Sequence, residues 1–370
     1  MKKIVALLSI VLFTAACSSS DSNGNSNTAN YDKTAVLTNW ADNIIIPTYT
    51  AYDNANATLQ TSVSTFTATP NADNLVAVQT AWLNAYKVFQ HAAIFDIGKA
   101  TNLSLVLSAN TFPTDVTGIR NNVTSGTYTL GRPAEFARQG FPALDYLLYG
   151  LGTTNDQVLT YYTTNTQAAA YKQYLTAVTA DLKRVSGLIL TDWNGSYRDT
   201  FIANDNAVTG SLNHSTNNLV KNMEKDVRNP KLGIPAGLFS AGTLYPDKVE
   251  AYYRNNVSKT LLNEAVTASK NFFNGTYYDG TGSGASLKGY LDAVGAKSGG
   301  QNLSDIINAQ FNTVLTTNNT LNESFSTQVT TDNTKMIAAH TALQKLVVYL
   351  KLDMFSALSL TIDYVDGDGD

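Results

Sequence analysis

Apolar side chains recur every three or four residues through most of this 370-residue chain, which is the pattern of amphipathic helices. Leu75, Val78, Trp82 and Tyr86 form one such row, and Pro47 should bend or split the helix before it. No two segments alternate long enough to pair as strands. The pattern therefore predicts an all-α fold. Its helices are expected over residues 31–66, 75–93, 171–193, 205–228, 247–274, 286–296, 303–315 and 335–358.

Two stretches lack this periodicity. Residues 101–130 contain Pro113 and many Gly, Asn and Thr residues, so they are predicted to be a long loop with one short helix near 115–123. Residues 229–244 form a Gly- and Pro-rich connection. Within the helix predicted over 205–228, several polar residues crowd together: Asn213, His214, Asn217 and Asn218. They indicate either a solvated face or the wall of a wet cleft.

The N-terminus has the pattern of a targeting segment. Residues 1–16 combine Lys2 and Lys3 with a short apolar core, and small residues precede Cys17. This arrangement predicts a lipoprotein signal with Cys17 as the lipidated first residue of the mature chain; the alternative is ordinary cleavage before a free thiol. The polar residues 17–30 are predicted to be a flexible linker. The expected location is the bacterial cell envelope, with a membrane as partner through the anchor.

Composition excludes several classes of protein. The formal net charge is −4 and no basic stripe appears, so nucleic acid is not an expected partner. A single cysteine allows neither an intrachain disulfide nor a cysteine metal cluster. The three histidines do not lie at a metal-binding spacing, and no phosphate loop or nucleophile motif is present.

Residues 131–150, GRPAEFARQGFPALDYLLYG, carry the densest pattern of turn and helix signals. Pro133 and Pro142 can each start a short helix, since proline suits the first helical turn. Asp145 and Tyr149 are four residues apart and share a helix face. Gly150 is placed to end the second helix.

This stretch resembles the signature region of the imelysin-like family. The family motif is Gly-x-His-x-x-Glu followed by aromatic, Leu, Leu, aromatic and Gly, and here Gly140 and the run 146–150 keep that frame. Pro142 stands at the histidine position and Asp145 at the glutamate position. Residues 229–244 also resemble a Leu/Pro/Gly segment of that family. The resemblance implies two packed helical bundles, four-helix-bundle-like and related by internal duplication, with the signature near their junction.

On that basis the chain is expected to divide into an N-terminal bundle, residues 31–200, and a C-terminal bundle, residues 201–365. An acidic tail, residues 366–370, would follow; its spaced aspartates suggest either a solvated tail or a calcium loop. The proposed ligand-binding residues are Arg132, Glu135, Arg138, Gly140, Pro142, Asp145, Tyr149, Asp96 and His91. Asp145 is expected to pair with Arg132 or Arg138, or else to hold a cation with help from Glu135, Asp96 or Asp115.

The family has been grouped with metallopeptidases on its His and Glu pair. Proline has no nitrogen to offer a metal, so that pair is not carried over, and no catalytic residue is assigned. The expectation is a non-catalytic lipoprotein that binds a ligand or partner between its bundles, with components of iron or haem uptake as partners. No cofactor is assigned, although iron or another divalent metal is allowed. The alternatives are a metal-dependent peptidase with displaced ligands and a structural interaction module.

Overall fold

The computed structural model describes residues 31–364 except 205 and 207. The signal peptide, Cys17, the linker and the acidic tail lie outside the described residues and stay predictions. Within the described part the fold is all-α, as the periodicity predicted. Its only paired strands there are two strands of two residues each, which form a hairpin.

The described chain is a succession of helices with π-helical and 3-10 segments between them. The α-helices are α1 Lys33–Asn39, α2 Ile46–Ala68, α3 Ala72–Ala92, α4 Lys99–Asn102, α5 Leu105–Asn110, α6 Val116–Ser125, α7 Gly140–Asp145, α8 Asn155–Thr163, α9 Ala168–Asp192, α10 Arg198–Ala203, α11 Ser211–Lys221, α12 Ser258–Asn274, α13 Leu287–Ala293, α14 Leu303–Asn319, α15 Phe325–Thr331, α16 Asn333–Val348 and α17 Phe355–Leu358. The π-helical segments are Trp40–Ile45, Tyr146–Gly150, Trp193–Tyr197, Asn222–Gly233 and Tyr349–Met354, and the 3-10 helices are Ala93–Phe95 and Pro133–Arg138. The strands are β1 Lys297–Ser298 and β2 Gln301–Asn302.

Local sequence signals explain many of these boundaries. Pro47 lies in the first turn of α2, directly after the π-helical segment Trp40–Ile45. Ile45 and Ile46, which join the two, keep right-handed helical angles, so the helical run changes its hydrogen bonding here but is not split. The side chain of Asn71 accepts a hydrogen bond from the N–H of Asn74 and caps α3. Asp115 caps α6 in the same way.

One continuous hydrophobic core joins elements from both halves of the chain. Helix α2 packs between α3 and α9, while α12 packs against both α3 and α14. The ring of Trp40 lies 4.4 Å from that of Phe272, so residues far apart in sequence share the core. The predicted division near residue 200 stays a prediction.

Two expectations about the helices are wrong. The short helix predicted near 115–123 is confirmed as α6, but residues 101–130 are not otherwise all loop, because α5 adds a helix that was not predicted. The helix predicted over residues 247–274 begins only at Ser258. Residues 247–257, the turn segment, are irregular because Ala251 and Asn255 adopt left-handed φ angles of 56° and 69°.

The polar positions of α11 bind the C-terminal chain. Asn213 and Asn217 are buried, and their side-chain oxygens accept hydrogen bonds from the backbone N–H groups of Thr361 (2.8 Å) and Asp363 (3.0 Å). These two asparagines therefore line neither a solvated face nor a cleft. Among the described helices, none has both the length and the apolar character required to cross a bilayer.

Candidate functional site

The signature stretch folds as three short helical turns. A 3-10 helix, Pro133–Arg138, has proline in its first turn as predicted and leads into α7. The π-helical segment Tyr146–Gly150 follows, a form often found at functional sites. The helical run ends at Gly150, as predicted, although Gly150 is not left-handed and Leu151 keeps a right-handed backbone.

Asp145 is a buried anchor for the turn segment. Its Oδ2 accepts a hydrogen bond from the N–H of Tyr253 at 2.8 Å, and its Oδ1 accepts one from the N–H of Arg254 at 2.9 Å. Burial raises the pKa of Asp145 to about 7, while the two N–H groups and the charge of Arg254 oppose that rise. In a helix these N–H groups would bond to carbonyls one turn back. The Asp145 carboxylate therefore takes the place of the backbone carbonyls that would accept these two hydrogen bonds in a helix.

A cavity of about 30 Å³ adjoins Asp145, and Pro142 lines it at the position where the family motif has histidine. Both Asp145 oxygens already accept backbone hydrogen bonds. Across residues 31–364, leaving aside 205 and 207, no three His, Cys, Asp or Glu side chains form a metal-binding group. The residues at the signature do not fit a transition-metal centre.

The charged residues upstream form a separate cluster. Nε of Arg138 lies 2.8 Å from Oδ2 of Asp115, and its Nη1 lies 3.2 Å from Oε1 of Glu135. The N–H of Gly118 and the guanidinium of Arg138 hold the pKa of Asp115 below its usual value. Arg132 is exposed. The expected pairing of Asp145 with Arg132 or Arg138 is thus not the arrangement found.

Asp96 and His91 lie away from the signature cavity. Burial raises the pKa of Asp96, and the charges of Lys221 and His214 on α11 oppose the shift. Nε2 of His91 lies 3.0 Å from Oε2 of Glu264 on α12. The structure therefore does not gather the proposed residues into one site. Pro142 and Asp145 line the signature cavity, and Tyr149 lines a neighbouring groove. Glu135 and Arg138 form the separate charged cluster within the same stretch, and Asp96 and His91 lie elsewhere.

Tyr149 and Arg254 face an open groove on the outer side of the signature. The Arg254 guanidinium lies 5.4 Å from the centre of the Tyr149 ring, which also packs against Trp82 with ring centres 5.4 Å apart. Burial raises the pKa of the Tyr149 hydroxyl. The groove has a volume of about 380 Å³ and is lined by Val76, Gln79, Thr80, Leu83, Asn84, Tyr149, Asn155 and Arg254.

A buried ion pair lies behind the signature. Nζ of Lys231 is 2.5 Å from Oε2 of Glu250, and both side chains are at most 2% exposed. Oε1 of Glu250 accepts hydrogen bonds from Tyr86 (3.1 Å), Gln90 (3.2 Å) and Asn110 (2.9 Å). The ring of Tyr86 stacks on Phe141 of α7 at 4.6 Å, so this network touches the signature helix.

The sequence did not single out Arg254, Lys231 or Glu250. Lys231 falls in a Gly- and Pro-rich stretch that was predicted to be a connection, and the other two fall in the helix wrongly predicted to start at residue 247. The one available signal was that Lys231 directly precedes the uncharged stretch 232–246, because a charge beside buried apolar residues needs a partner.

Comparisons with known proteins agree with the signature. The imelysin (peptidase M75) family model matches residues 45–351. The chain is 22% identical over 268 residues to iron-regulated protein A of Synechococcus elongatus, covering 68% of each chain.

Two crystal structures share the fold. A candidate iron-regulated protein A precursor from Parabacteroides distasonis is 18% identical, with a TM-score of 0.71 over 88% of this chain and 94% of that one. An imelysin-like protein from Psychrobacter arcticum is 16% identical, with a TM-score of 0.60 over 90% and 96%. Because the family model spans most of its length, the chain belongs to the imelysin family.

Proposed function

We propose that this chain is a non-catalytic imelysin-family lipoprotein of the bacterial cell envelope that binds a ligand or partner in iron acquisition. The observation that carries the proposal is the hydrogen bonding of Asp145. Both of its oxygens accept backbone hydrogen bonds, and proline replaces the histidine beside it. A signature built in this way holds the turn segment in place and leaves the adjoining groove open.

The same observation argues against a peptidase at this position. A metallopeptidase needs a metal that activates water and a base that takes the proton. Pro142 offers no ligand, and both oxygens of Asp145 already accept backbone hydrogen bonds.

The iron role draws on the relatives. Two of the similar proteins carry the name iron-regulated protein A, one from Synechococcus elongatus and one, as a candidate precursor, from Parabacteroides distasonis. Extending that role to this chain makes components of iron or haem uptake its proposed partners. The envelope location is supported by the signal-like residues 1–16 and by Cys17, which would carry the lipid.

Metal content of the full chain, purified without chelator or histidine tag, tests the function first. Mass spectrometry is expected to find no stoichiometric metal, and incubation with zinc, iron or manganese is expected to yield no cleavage of an unfolded protein substrate. A bound transition metal that Asp145→Ala removes, or chelator-sensitive cleavage, would instead support the peptidase.

Growth under iron limitation tests the biological role. A strain lacking the chain is expected to grow more slowly only when iron is scarce, and the wild-type gene is expected to restore growth. Cys17→Ala should release the protein from the membrane fraction while leaving it folded. Membrane association that survives Cys17→Ala would contradict the lipid anchor, and equal growth at low iron would contradict the iron role.

A further inference from the structure

We infer that the groove beside Tyr149 and Arg254 binds a small organic carboxylate with an apolar body. Residues on both sides of the signature form it: Gln79 and Asn84 come from α3, Asn155 begins α8, and Arg254 comes from the turn segment. Its volume, about 380 Å³, falls within the range of small-molecule sites, roughly 300–1,000 Å³. This inference names the ligand class of the binding function proposed above and rests on that proposal.

The charge of the lining selects an anion. Arg254 is the one charged residue among those that line the groove, and no acidic side chain lines it. A guanidinium presents a planar fork of donors that matches a carboxylate bidentately. The face of the Tyr149 ring, 5.4 Å from the guanidinium, holds that cation beside the groove.

The cation is positioned before any ligand arrives. Asp145 fixes the backbone N–H of Arg254 at 2.9 Å, and Trp82 supports the Tyr149 ring. Gln79 is likewise fixed, since its Nε2 donates to the carbonyl of Leu148 and to Oδ1 of Asn155, both at 3.0 Å. A site ordered in advance loses less free energy on binding.

The rest of the lining defines the body of the ligand. Val76 is half exposed and Leu83 is partly buried, and both line the groove, so they add an apolar surface to it. Asn84, Asn155 and Thr80 add neutral hydrogen-bonding groups. A single cation among neutral lining residues balances the one charge of a carboxylate, whereas a phosphate dianion would bring a second charge with no partner.

A matched pair of probes tests the inference on the full chain by ligand-detected NMR titration. N-acetyl-leucine carries the carboxylate and an apolar side chain, and N-acetyl-leucinamide differs only in losing the charge. The acid is expected to bind about tenfold or more tightly than the amide. Arg254→Gln should abolish that preference, and Arg254→Lys should reduce it. Arg184→Gln, which removes an exposed guanidinium outside the groove, should leave it intact.

A free organic acid and the C-terminus of a short peptide present the same carboxylate. An acetylated tripeptide ending in leucine separates them: tighter binding than N-acetyl-leucine assigns the groove to peptide ends, and equal or weaker binding assigns it to small acids. Equal binding of acid and amide, unchanged binding by a folded Arg254→Gln variant, or preference for inorganic phosphate would overturn the inference. Thermal unfolding reports whether each variant is folded. None of these failures bears on the metal-content or growth experiments, so the two proposals fail separately.

Discussion

Asp145 and Arg254 lie 109 positions apart in the sequence, yet Oδ1 of Asp145 accepts a hydrogen bond from the backbone N–H of Arg254 at 2.9 Å. The neighbouring N–H of Tyr253 donates to Oδ2 of the same carboxylate. The signature of this chain thereby fixes the turn segment, and the turn segment presents Arg254 to the groove. Asp145, which stands at the glutamate position of the family motif, therefore binds backbone N–H groups of the turn segment.

Replacing Asp145 should destabilise the protein through the two backbone donors that it satisfies. Asp145→Ala leaves both part-buried N–H groups without an acceptor, and each such group costs roughly 1–3 kcal/mol, so we expect a loss of about 2–6 kcal/mol in the free energy of unfolding. Asp145→Asn keeps one acceptor and should lose less. Urea denaturation measures both.

An exposed aspartate provides the control for that comparison. Asp156 lies in the first turn of α8, and Asp156→Ala should change the unfolding free energy by no more than about 0.5 kcal/mol. If Asp145→Ala proved as mild as Asp156→Ala and left ligand binding intact, the signature would be neither an anchor nor part of the site.

Because of the pKa of Asp145, we also expect the free energy of unfolding to depend on pH. Burial raises this pKa from 3.8, the ordinary value of an aspartate, to about 7 in the folded state. Between about pH 4 and pH 7 the folded protein thus holds a proton that the unfolded chain has released. The unfolding free energy contributed by Asp145 should fall as pH rises, by at most about 1.4 kcal/mol per pH unit.

The difference in unfolding free energy between wild type and Asp145→Asn, measured at each pH, gives the contribution that comes from the titration of Asp145. Burial also raises the pKa of Asp226, to about 6. Asp226 titrates in both proteins, so its contribution cancels in the difference. The advantage of the wild type should shrink from pH 4 to pH 7 and level off above. A difference that stays flat, or grows with pH, would show that the carboxylate is ionised throughout that range.

Sequence periodicity was sufficient for the fold but not for the site. The row Leu75, Val78, Trp82 and Tyr86 predicted α3 because burial on one helix face follows directly from spacing. The turn segment was missed because its apolar residues also fit a helix, and only the distant Asp145 captures its N–H groups. Local patterns do not encode a hydrogen bond across more than a hundred residues.

The buried pair of Lys231 and Glu250 should be far more important to stability than its surface counterparts. Removing one partner of a buried pair leaves an uncompensated charge, and Glu250→Gln should lower the unfolding free energy by about 3–5 kcal/mol. Burial also lowers the pKa of Lys231, against the effect of Glu250. The double variant Lys231→Met/Glu250→Gln should lose less than the two single variants added together.

Lys288 and Asp292 provide a matched surface pair. They lie 2.6 Å apart on α13 with side chains 38% and 40% exposed, so Asp292→Asn should cost about 0.5 kcal/mol or less. Urea denaturation of the four variants completes the comparison. A Glu250→Gln variant as stable as Asp292→Asn would mean that water reaches the pair and that the pair does not tie the turn segment to the π-helical segment Asn222–Gly233.

Gly140 should tolerate no side chain, because α7 starts where the chain runs against α5. Its φ is 72°, and a Cβ there would lie 2.3 Å from the carbonyl oxygen of Ala109.

Gly126 is the matched control: its φ is 66°, and a Cβ would meet no atom within 4 Å. Gly126→Ala therefore carries only the left-handed backbone penalty, about 1–2 kcal/mol. Gly140→Ala adds a clash with backbone that cannot rotate away, so its loss in unfolding free energy should exceed that of Gly126→Ala by about 1–3 kcal/mol. Equal losses would mean that α5 and α7 can separate freely, and the signature helix would then be too loosely held to position Asp145.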